Sequence, residues 1–315
     1  MPRPELRSPL AVVCHDAGAC NVILPWLERS GLTLRPLMQG PAAQIFAERA
    51  RRRPCLAAAR AATSLREALD GAAMLLSGSG WASDLEHQAR RLARERGLFS
   101  VAVIDHWINY KPRFEREGEV VWPDEFWVSD NEALALAKQA FPGAVVRRFD
   151  NLYLREAVET IAPRPRRPSQ LLYVLEPARD DWGRGVPGEF QALDHFMALR
   201  KTAAALPPNA PIRLRPHPSD APGKYDAWIA AQQGDGADVA LDTHGTLAEA
   251  LSVSAWVVGC ESFALVVALA AGRRVWTSLP PWAPRCRLPH VGITALGVPK
   301  LIDGQPATKR VARVS

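Results

Sequence analysis

Two stretches decide the fold class, Ile212-Arg-Leu-Arg-Pro-His-Pro-Ser219 and, later in the chain, Ala255-Trp-Val-Val-Gly-Cys-Glu-Ser-Phe-Ala264. Each is an apolar strand pattern that stops at a Pro- or Gly-containing turn and continues into polar residues. Strand patterns like these alternate with helical patterns along the chain, which predicts parallel, doubly wound sheets. Because such sheets bind ligands at the carboxyl ends of their strands, both turns are expected at a ligand-binding edge.

The first stretch predicts a phosphate-binding strand end. Arg213 and Arg215 share one face of the strand, since side chains two residues apart point the same way, and both are expected to add positive potential. Pro218 and the proline before His217 stiffen the turn. We therefore predict that His217 is catalytic, donating a hydrogen bond or a proton to a departing phosphate, with Pro218 and Ser219 at the same site.

The second stretch predicts a helix start suited to an anion. Ser262 follows the Gly259 turn and opens an Ala/Leu/Val helix, whose first N–H groups and dipole favour negative charge. Ser262 is expected to cap that helix and to bind the same phosphate. Glu261 has two equal interpretations, a contact to donor hydroxyls or a carboxylate that complements the dipole. Glu176, at the end of an earlier strand, is placed at the same edge.

Together the two motifs resemble the C-terminal half of GT-B-fold glycosyltransferases, in particular bacterial sialyltransferases and Kdo transferases that use CMP-activated sugars. The polyol-phosphate transferases of wall teichoic acid synthesis share a similar pair. The resemblance implies an α/β, GT-B-like fold, with two Rossmann-like doubly wound domains facing a central cleft. This chain departs from the sialyltransferase pattern: its later motif reads Glu261-Ser262 where that family has Ser-Ser, and its amino-terminal half lacks an acidic-acidic-Gly motif.

The function that the resemblance implies is metal-independent transfer of a sugar from a nucleotide donor to a cell-surface glycan. A CMP-activated acidic sugar, of the Kdo or sialic-acid type, is the favoured donor. Two alternatives keep the same fold, a polyol-phosphate transferase and a nucleotide-sugar 2-epimerase, the latter needing no acceptor. A third alternative is a non-catalytic GT-B-like protein that binds a glycan or a partner.

A proline-rich segment divides the chain. Residues 163–168 carry several prolines and arginines and favour an extended, exposed path. We expect an acceptor-side Rossmann-like domain over residues 1–162 and a nucleotide-sugar-binding domain over residues 169–315. Strands are predicted at residues 10–14, 32–37, 72–76, 100–104, 125–129, 145–149, 170–175, 212–215, 239–241, 255–258 and 274–276. Helices are predicted at residues 22–29, 42–60 (interrupted at Pro54), 84–95, 132–140, 190–206, 225–232, 247–251 and 263–271.

The acceptor side is expected at strand ends of the first domain. Asp16, directly after the first strand, is the first choice for a base that deprotonates an acceptor hydroxyl; an equal alternative is that it caps the next helix or fixes the loop. Asp105, after a later strand, is the rival catalytic carboxylate. Asp130 is interpreted as a helix cap. The residues predicted to bind the acceptor are His15, Asn21, Ser79, Trp81, His106 and Trp107.

Composition limits the partners. A net charge of +6 indicates an acidic partner, and no motif for nucleic acid is present. A nucleotide sugar and an anionic glycan or glycolipid acceptor fit, and peripheral contact with the inner membrane stays open. No metal-ligand spacing occurs among the histidines, so no metal and no cofactor beyond the nucleotide-sugar substrate are expected. Five widely spaced cysteines suit reduced thiols in a cytoplasmic protein.

Overall fold

The computed structural model describes residues 5–178 and 180–297. The first of its two compact units runs to Pro163 and takes in residues Arg287–His290 from later in the chain. Its elements, in chain order, are β1 Leu10–Cys14, α1 Ala17–Leu27, β2 Leu34–Met38, α2 Gly40–Ala50, α3 Pro54–Ala57, α4 Leu65–Leu69, β3 Met74–Ser77, α5 Leu85–Glu95, β4 Ser100–Ile104, a 3-10 turn at Lys111–Phe114, β5 Glu115–Arg116, β6 Glu119–Val120, β7 Glu125–Val128, α6 Asn131–Ala140, β8 Val145–Arg148 and α7 Leu152–Glu159.

Within this described part, six strands form one parallel sheet in the order β2-β1-β3-β4-β7-β8, and β5 and β6 form a short antiparallel hairpin. The central strand β1 is buried along its whole length, as expected for a parallel strand covered on both faces. Its alternate residues enter different cores: Leu10 and Val12 pack in one, and Ala11 and Val13 in the other. The strand order reverses between β1 and β3, which places a crevice at their carboxyl ends.

The second unit begins at Arg164 and comprises residues 164–286 and those from Val291 onward. Its elements are β9 Gln170–Val174, α8 Gly188–Arg200, β10 Ile212–Arg215, α9 Asp226–Gly234, β11 Val239–Leu241, α10 Leu247–Val253, β12 Ser254–Gly259, α11 Phe263–Ala270, β13 Arg274–Thr277 and β14 Ile293–Ala295. The described strands form a parallel sheet in the order β11-β10-β9-β12-β13-β14. Here the order reverses between β9 and β12. Residues 298–315 of the predicted second domain lie outside the described residues.

Strands were located well by their apolar runs, whereas several helix boundaries were wrong. The helix predicted at residues 22–29 is α1, which begins at Ala17. The helical turn from Ala17 to Asn21 was not predicted. Gly18 disfavours a helix interior, but burial of Ala19 and Cys20 stabilises the turn there. The helix predicted at residues 190–206 is α8, which ends at Arg200.

Some elements were missed because they are short or weakly apolar. Among the described residues these are α4, α7, the β5–β6 hairpin and β14. Among the residues that the structure describes, no helix has both the length and the hydrophobicity needed to span a lipid bilayer.

Candidate functional site

Polar residues gather at the carboxyl edge of the first unit's sheet. His15 and Asp16 follow β1, and Asp105 follows β4. The Nδ1 atom of His15 lies 2.7 Å from Oδ1 of Asp16. Asp16 occupies the N-cap position of α1, yet its side chain makes no capping hydrogen bond. Its carboxylate is therefore turned to the histidine and not to the helix.

Two glycines let the carboxylates of this edge approach the backbone. A Cβ added to Gly18 would lie 1.8 Å from Oδ2 of Asp105, and one added to Gly80 would lie 2.0 Å from Oδ2 of Asp16. Neither distance is compatible with a side chain larger than hydrogen. The carboxylates of Asp16 and Asp105, the two predicted bases, are thus each seated against a glycine.

Arg113 holds Asp105 in place. Its guanidinium is buried, and Nη1 donates to Oδ1 of Asp105 at 2.9 Å and to both the carbonyl and the hydroxyl oxygen of Ser79 at 3.3 Å. Nε donates to the carbonyl of Ile108 at 3.1 Å. One guanidinium therefore fixes the carboxylate after β4 relative to the loop after β3, since it donates to acceptors on both.

Glu86 is a buried carboxyl beneath the same edge. It lies in the first turn of α5 and is fully buried. Oε1 accepts a hydrogen bond from the backbone N–H of His15 at 2.7 Å, whereas Oε2 has no hydrogen-bond partner. Burial has the largest influence on the pKa of Glu86 and raises it, whereas the hydrogen bond from the His15 backbone opposes that rise. Such an environment favours a proton on this carboxyl.

Glu86, Arg113 and Arg90 were not predicted from the sequence. Arg90 is buried and donates to the carbonyl of Gly78 at 3.0 Å. Glu86 and Arg90 are four residues apart on the face of α5 that packs inward. A pair of opposite charges with that spacing on the apolar side of an amphipathic helix is the signal that would have found them. Nothing in the sequence around Arg113 marks it as buried.

The residues predicted to bind an acceptor are placed differently from one another. Trp81 exposes 45% of its surface, and the Arg113 guanidinium lies 4.6 Å from its ring centroid. Ser79 is fully buried and donates its hydroxyl to the carbonyl of Val103 at 2.8 Å. Asn21 lies inside α1 and not in a loop. Trp81 therefore keeps an accessible ring, while the hydroxyl of Ser79 is used within the fold.

Trp107 is 4% exposed. Its indole Nε1 donates to Oδ2 of Asp130 at 2.9 Å, and its ring packs against His106 and His290. The sequence prediction of a glycan-stacking surface at Trp107 needs an accessible ring face, and burial removes that face here. His106 is half-buried beside it. Asp130 caps α6, as predicted, and accepts a hydrogen bond from the N–H of Ala133 at 2.6 Å.

Cys14, at the end of β1, and Cys20, in α1, are not placed for nucleophilic chemistry. Cys14 and Cys20 are buried, and burial raises the pKa of both thiols, that of Cys20 to about 12. A thiol with so high a pKa carries little thiolate near neutral pH. Both fill the core beside the carboxylates.

At the second unit's sheet edge, β9 and β12 meet at the reversal of strand order. A Cβ on Gly259 would lie 2.7 Å from the carbonyl oxygen of Val174, so glycine is required for β12 to end beside β9. The backbone N–H of Glu261 donates to Oε1 of Glu176 at 2.9 Å. Ser262 is the N-cap of α11, as predicted, and accepts from the N–H of Ala264 at 3.2 Å.

The His217 side chain has a defined hydrogen-bond pattern. Its Nδ1 receives the backbone N–H of Ser219 at 3.2 Å and lies 2.7 Å from the Ser219 hydroxyl. An atom that accepts an N–H cannot carry a proton, so in the neutral ring the proton is on Nε2. Desolvation, together with Lys224, lowers the pKa of His217, and Asp220 opposes them. His217 therefore presents Nε2–H as a hydrogen-bond donor.

A charged network behind the loop holds His217 in place. Oδ2 of Asp220 accepts the backbone N–H of His217 at 2.9 Å. Oδ1 of Asp220 accepts from Nζ of Lys224 at 2.7 Å, and Lys224 also contacts Oε1 of the buried Glu189 at 2.6 Å. Pro218 and Ser219 are exposed on the outer side of this loop.

The two strand arginines already have carboxylate partners. Arg213 pairs with the exposed Asp238 at 2.7 Å. Arg215 pairs at 2.6 Å with Asp242, whose side chain is fully buried, and also donates to the carbonyl of His244 at 3.0 Å. Much of the positive potential predicted for phosphate is therefore neutralised within the unit. Phosphate binding by His217 and by the start of α11 stays a prediction.

No protein-family model matches the chain, and no curated protein is similar to it. Solved structures are similar in fold. A protein of Listeria monocytogenes described as a UDP-N-acetylglucosamine 2-epimerase has a TM-score of 0.52 at 12% identity, covering 86% of this chain and 79% of its own. S. aureus MnaA with UDP has a TM-score of 0.54 at 11% identity, covering 85% and 78%. The UDP-GlcNAc 2-epimerase of Methanocaldococcus jannaschii, in complex with UDP-GlcNAc and UDP, has a TM-score of 0.51 at 9% identity, covering 85% and 83%.

These similarities confirm the predicted fold class, α/β with two Rossmann-like doubly wound domains of the GT-B-like type. None of the three is described as a sialyltransferase or a Kdo transferase.

Proposed function

We propose that the chain is an enzyme acting on a nucleotide sugar, and that its reaction is inversion at C2, as in a nucleotide-sugar 2-epimerase. The observation that carries the proposal is the pair of carboxylates, Asp16 and Asp105, each seated against a glycine at the first unit's ligand-binding edge. Support comes from the similar solved structures, which are described as 2-epimerases or bound to UDP. This was the alternative, and not the favoured function, in the sequence interpretation.

Inversion at C2 needs acid–base groups. The C2–H bond must break and a new one must form on the opposite face. Because no carbonyl flanks C2 in a nucleotide sugar, its proton is released only as the nucleoside diphosphate leaves C1, which forms a C1=C2 double bond. Return of the proton and the diphosphate restores the sugar with C2 inverted. Asp16 and Asp105 are assigned these proton transfers, with His15 as the hydrogen-bond partner of Asp16.

The second unit is assigned the departing diphosphate. His217 offers Nε2–H, and the first amides of α11, capped by Ser262, offer further donors at a helix amino terminus. Since His217 is neutral when it donates in this way, it stabilises charge by a hydrogen bond and does not need to lose a proton. In this proposal the charge on the departing diphosphate is stabilised by these hydrogen-bond donors and not by a metal ion.

Transfer of a CMP-activated acidic sugar to a cell-surface glycan is the second candidate function. It is favoured by the His217–Ser219 turn combined with the Ser262 cap, the features that resemble the CMP-sugar transferases. In this reaction Asp16 or Asp105 would deprotonate an acceptor hydroxyl, whose oxygen replaces CMP at the anomeric carbon of the acidic sugar, so that a C–O bond to CMP breaks as the new glycosidic bond forms.

Solvent deuterium distinguishes the two functions. Incubation with UDP-GlcNAc in D₂O, followed by NMR, is expected to give the C2 epimer with deuterium at C2. Asp105→Asn is expected to lower this turnover by roughly 10²-fold or more, and His217→Ala by a similar factor. His244→Gln, a histidine elsewhere in the second unit, is the control and should keep full turnover. Sugar transfer from a CMP donor, together with UDP-GlcNAc recovered without deuterium or epimerisation, would replace epimerisation by the second function.

A binding panel separates a nucleotide-sugar enzyme from a non-catalytic binder. Thermal unfolding is measured with CMP, CDP, UDP, GDP and ADP, for the wild type, His217→Ala and Ser262→Ala. A ligand present at about a hundred times its Kd stabilises by ~2.7 kcal/mol. UDP is expected to stabilise the wild type and to lose that effect in both variants. Binding that is unchanged by the variants, with no turnover of any sugar nucleotide, would contradict the proposal and favour the non-catalytic alternative.

A further inference from the structure

A second cluster of ligand-type side chains lies in the first unit, apart from Asp16 and Asp105. One ring nitrogen of His290 and one carboxylate oxygen from each of Asp130 and Glu132 lie within 4.8 Å of one another. Asp130 and Glu132 stand at the start of α6, and His290 belongs to the segment Arg287–His290 that packs with this unit. Chain separation of this size is why sequence spacing gave no metal motif.

The histidine supplies an observation independent of the carboxylates. Nδ1 of His290 is buried and has no hydrogen-bond partner. A buried imidazole nitrogen without a partner is costly, and a bound cation would remove that cost.

The cluster brings two carboxylates together beside one imidazole. A divalent cation would offset the repulsion between the two ionised carboxylates.

Trp107 contacts both Asp130 and His290 and fixes their orientation, as residues that hydrogen-bond to metal ligands commonly do. Nε1 of Trp107 donates to Oδ2 of Asp130 at 2.9 Å, and the same indole packs edge-on against the His290 ring, with centroids 4.5 Å apart. One side chain thus holds two of the three groups. Partners of this kind fix ligand orientation and raise metal affinity.

We infer that Asp130, Glu132 and His290 form a site for a divalent transition-metal ion of the Zn²⁺ type, which fastens the segment Arg287–His290 to the start of α6. The imidazole favours Zn²⁺ over Mg²⁺ and Ca²⁺, which prefer all-oxygen sites. The site does not depend on the proposed function, since it shares no residue with the carboxylates assigned to proton transfer.

The test uses tag-free full-length protein in a Cys55→Ser background, because Cys55 is the exposed thiol. After removal of metals with a chelator, Zn²⁺ is titrated by calorimetry, and Co²⁺ is added for its visible absorption. One equivalent of Zn²⁺ is expected to bind, Mg²⁺ and Ca²⁺ are not expected to compete, and the Co²⁺ spectrum should lack a thiolate band. His290→Ala and Glu132→Gln are each expected to weaken Zn²⁺ binding by at least tenfold.

Trp107→Phe is the positioning variant, because it removes the donor to Asp130 and keeps an aromatic ring. A loss of about tenfold in Zn²⁺ affinity is expected. Glu95→Gln and His244→Gln are matched controls that should bind as the background does. Absence of a stoichiometric site in the wild type, or unchanged binding in both His290→Ala and Glu132→Gln, would overturn the assignment; Glu132 is only half-buried, so its variant is expected to fold.

Discussion

The ion pairs at the two sheet edges have opposite designs. In the first unit Arg113 is the buried partner and Asp105 keeps 17% of its side chain exposed. In the second unit Asp242 is fully buried and Arg215 keeps 21% exposed. The first arrangement presents a carboxylate at a ligand-binding edge, and the second buries one. The first edge is therefore suited to acid–base chemistry, whereas at the second edge the proposed binding of negative charge is assigned to His217 and the start of α11.

Close-packed glycines have different roles in the two units. Gly18 and Gly80 bring backbone against the carboxylates of the first edge, whereas Gly259 brings β12 against the backbone of β9. The first pair shapes a site, and the third shapes a sheet. A side chain at Gly259 would disturb the fold before it disturbed any ligand.

The largest expected effect is on catalysis. Gly18→Ala places a methyl group on Oδ2 of Asp105 and must displace it. Turnover of the nucleotide sugar, measured by NMR, is expected to fall by roughly 10²-fold, because misplacement of a reacting group by about 1 Å costs that much. Nucleotide binding, assigned to the second unit, should be unchanged. Full turnover in this variant would remove Asp105 from the mechanism.

The two buried ion pairs are compared directly by removing each arginine. Arg113→Leu removes the guanidinium partner of Asp105, whereas Arg215→Leu leaves the buried Asp242 in contact with the His244 ring, whose Nδ1 lies 2.5 Å from Oδ1. Arg113→Leu is expected to lower the free energy of unfolding by about 3 kcal/mol, since loss of one partner of a buried ion pair is costly, and Arg215→Leu by less, because His244 still contacts Asp242. Urea denaturation measures both. Only Arg113→Leu is expected to lower turnover as well, and an equal loss in both variants would erase the distinction between the edges.

The pH dependence of stability tests Glu86. Its pKa is raised in the folded state by burial, so the folded protein holds this proton at pH values where the unfolded chain has released it. Stability contributed by the site therefore falls as pH rises from the unfolded pKa towards the folded one. Each unit of elevation corresponds to about 1.4 kcal/mol.

Glu86→Gln removes that titration. The free energy of unfolding of the variant minus that of the wild type is expected to be larger at pH 7 than at pH 4. Denaturation of both proteins at both pH values measures this difference. His217→Gln in the second unit serves as the opposite case. The pKa of His217 is lowered, so the wild type loses stability as pH falls through the unfolded pKa of histidine, and the variant does not. A pH-independent difference in either variant would argue against the corresponding shift.

The smallest effect is expected at the surface. Arg213 pairs with Asp238, whose side chain is 60% exposed. Arg213→Ala is expected to change the free energy of unfolding by no more than about 1 kcal/mol. Nucleotide binding is the informative measurement: a clear loss of UDP affinity would restore the predicted phosphate role of this arginine, and no change would assign it to the ion pair alone.

Much of the fold was readable from the sequence. Strands such as β1 and β4 were predicted at their observed bounds, because buried parallel strands are short apolar runs with clear ends. The start of α1 was not readable, since the helical turn at Ala17 to Asn21 depends on packing of Ala19 and Cys20 into the core. Local propensity there opposes what burial stabilises.

By itself the sequence determined the doubly wound class and placed His15, Asp16, Asp105, His217 and Ser262 at strand ends, because parallel strands order their carboxyl ends along one edge. Only the tertiary structure decided which of these are presented and what holds them. Arg113 lies on Asp105, Glu86 lies beneath His15, and His290 lies beside Asp130. Those contacts join residues remote in the chain, and side-chain charge alone does not reveal whether a group is buried, paired or available to a ligand.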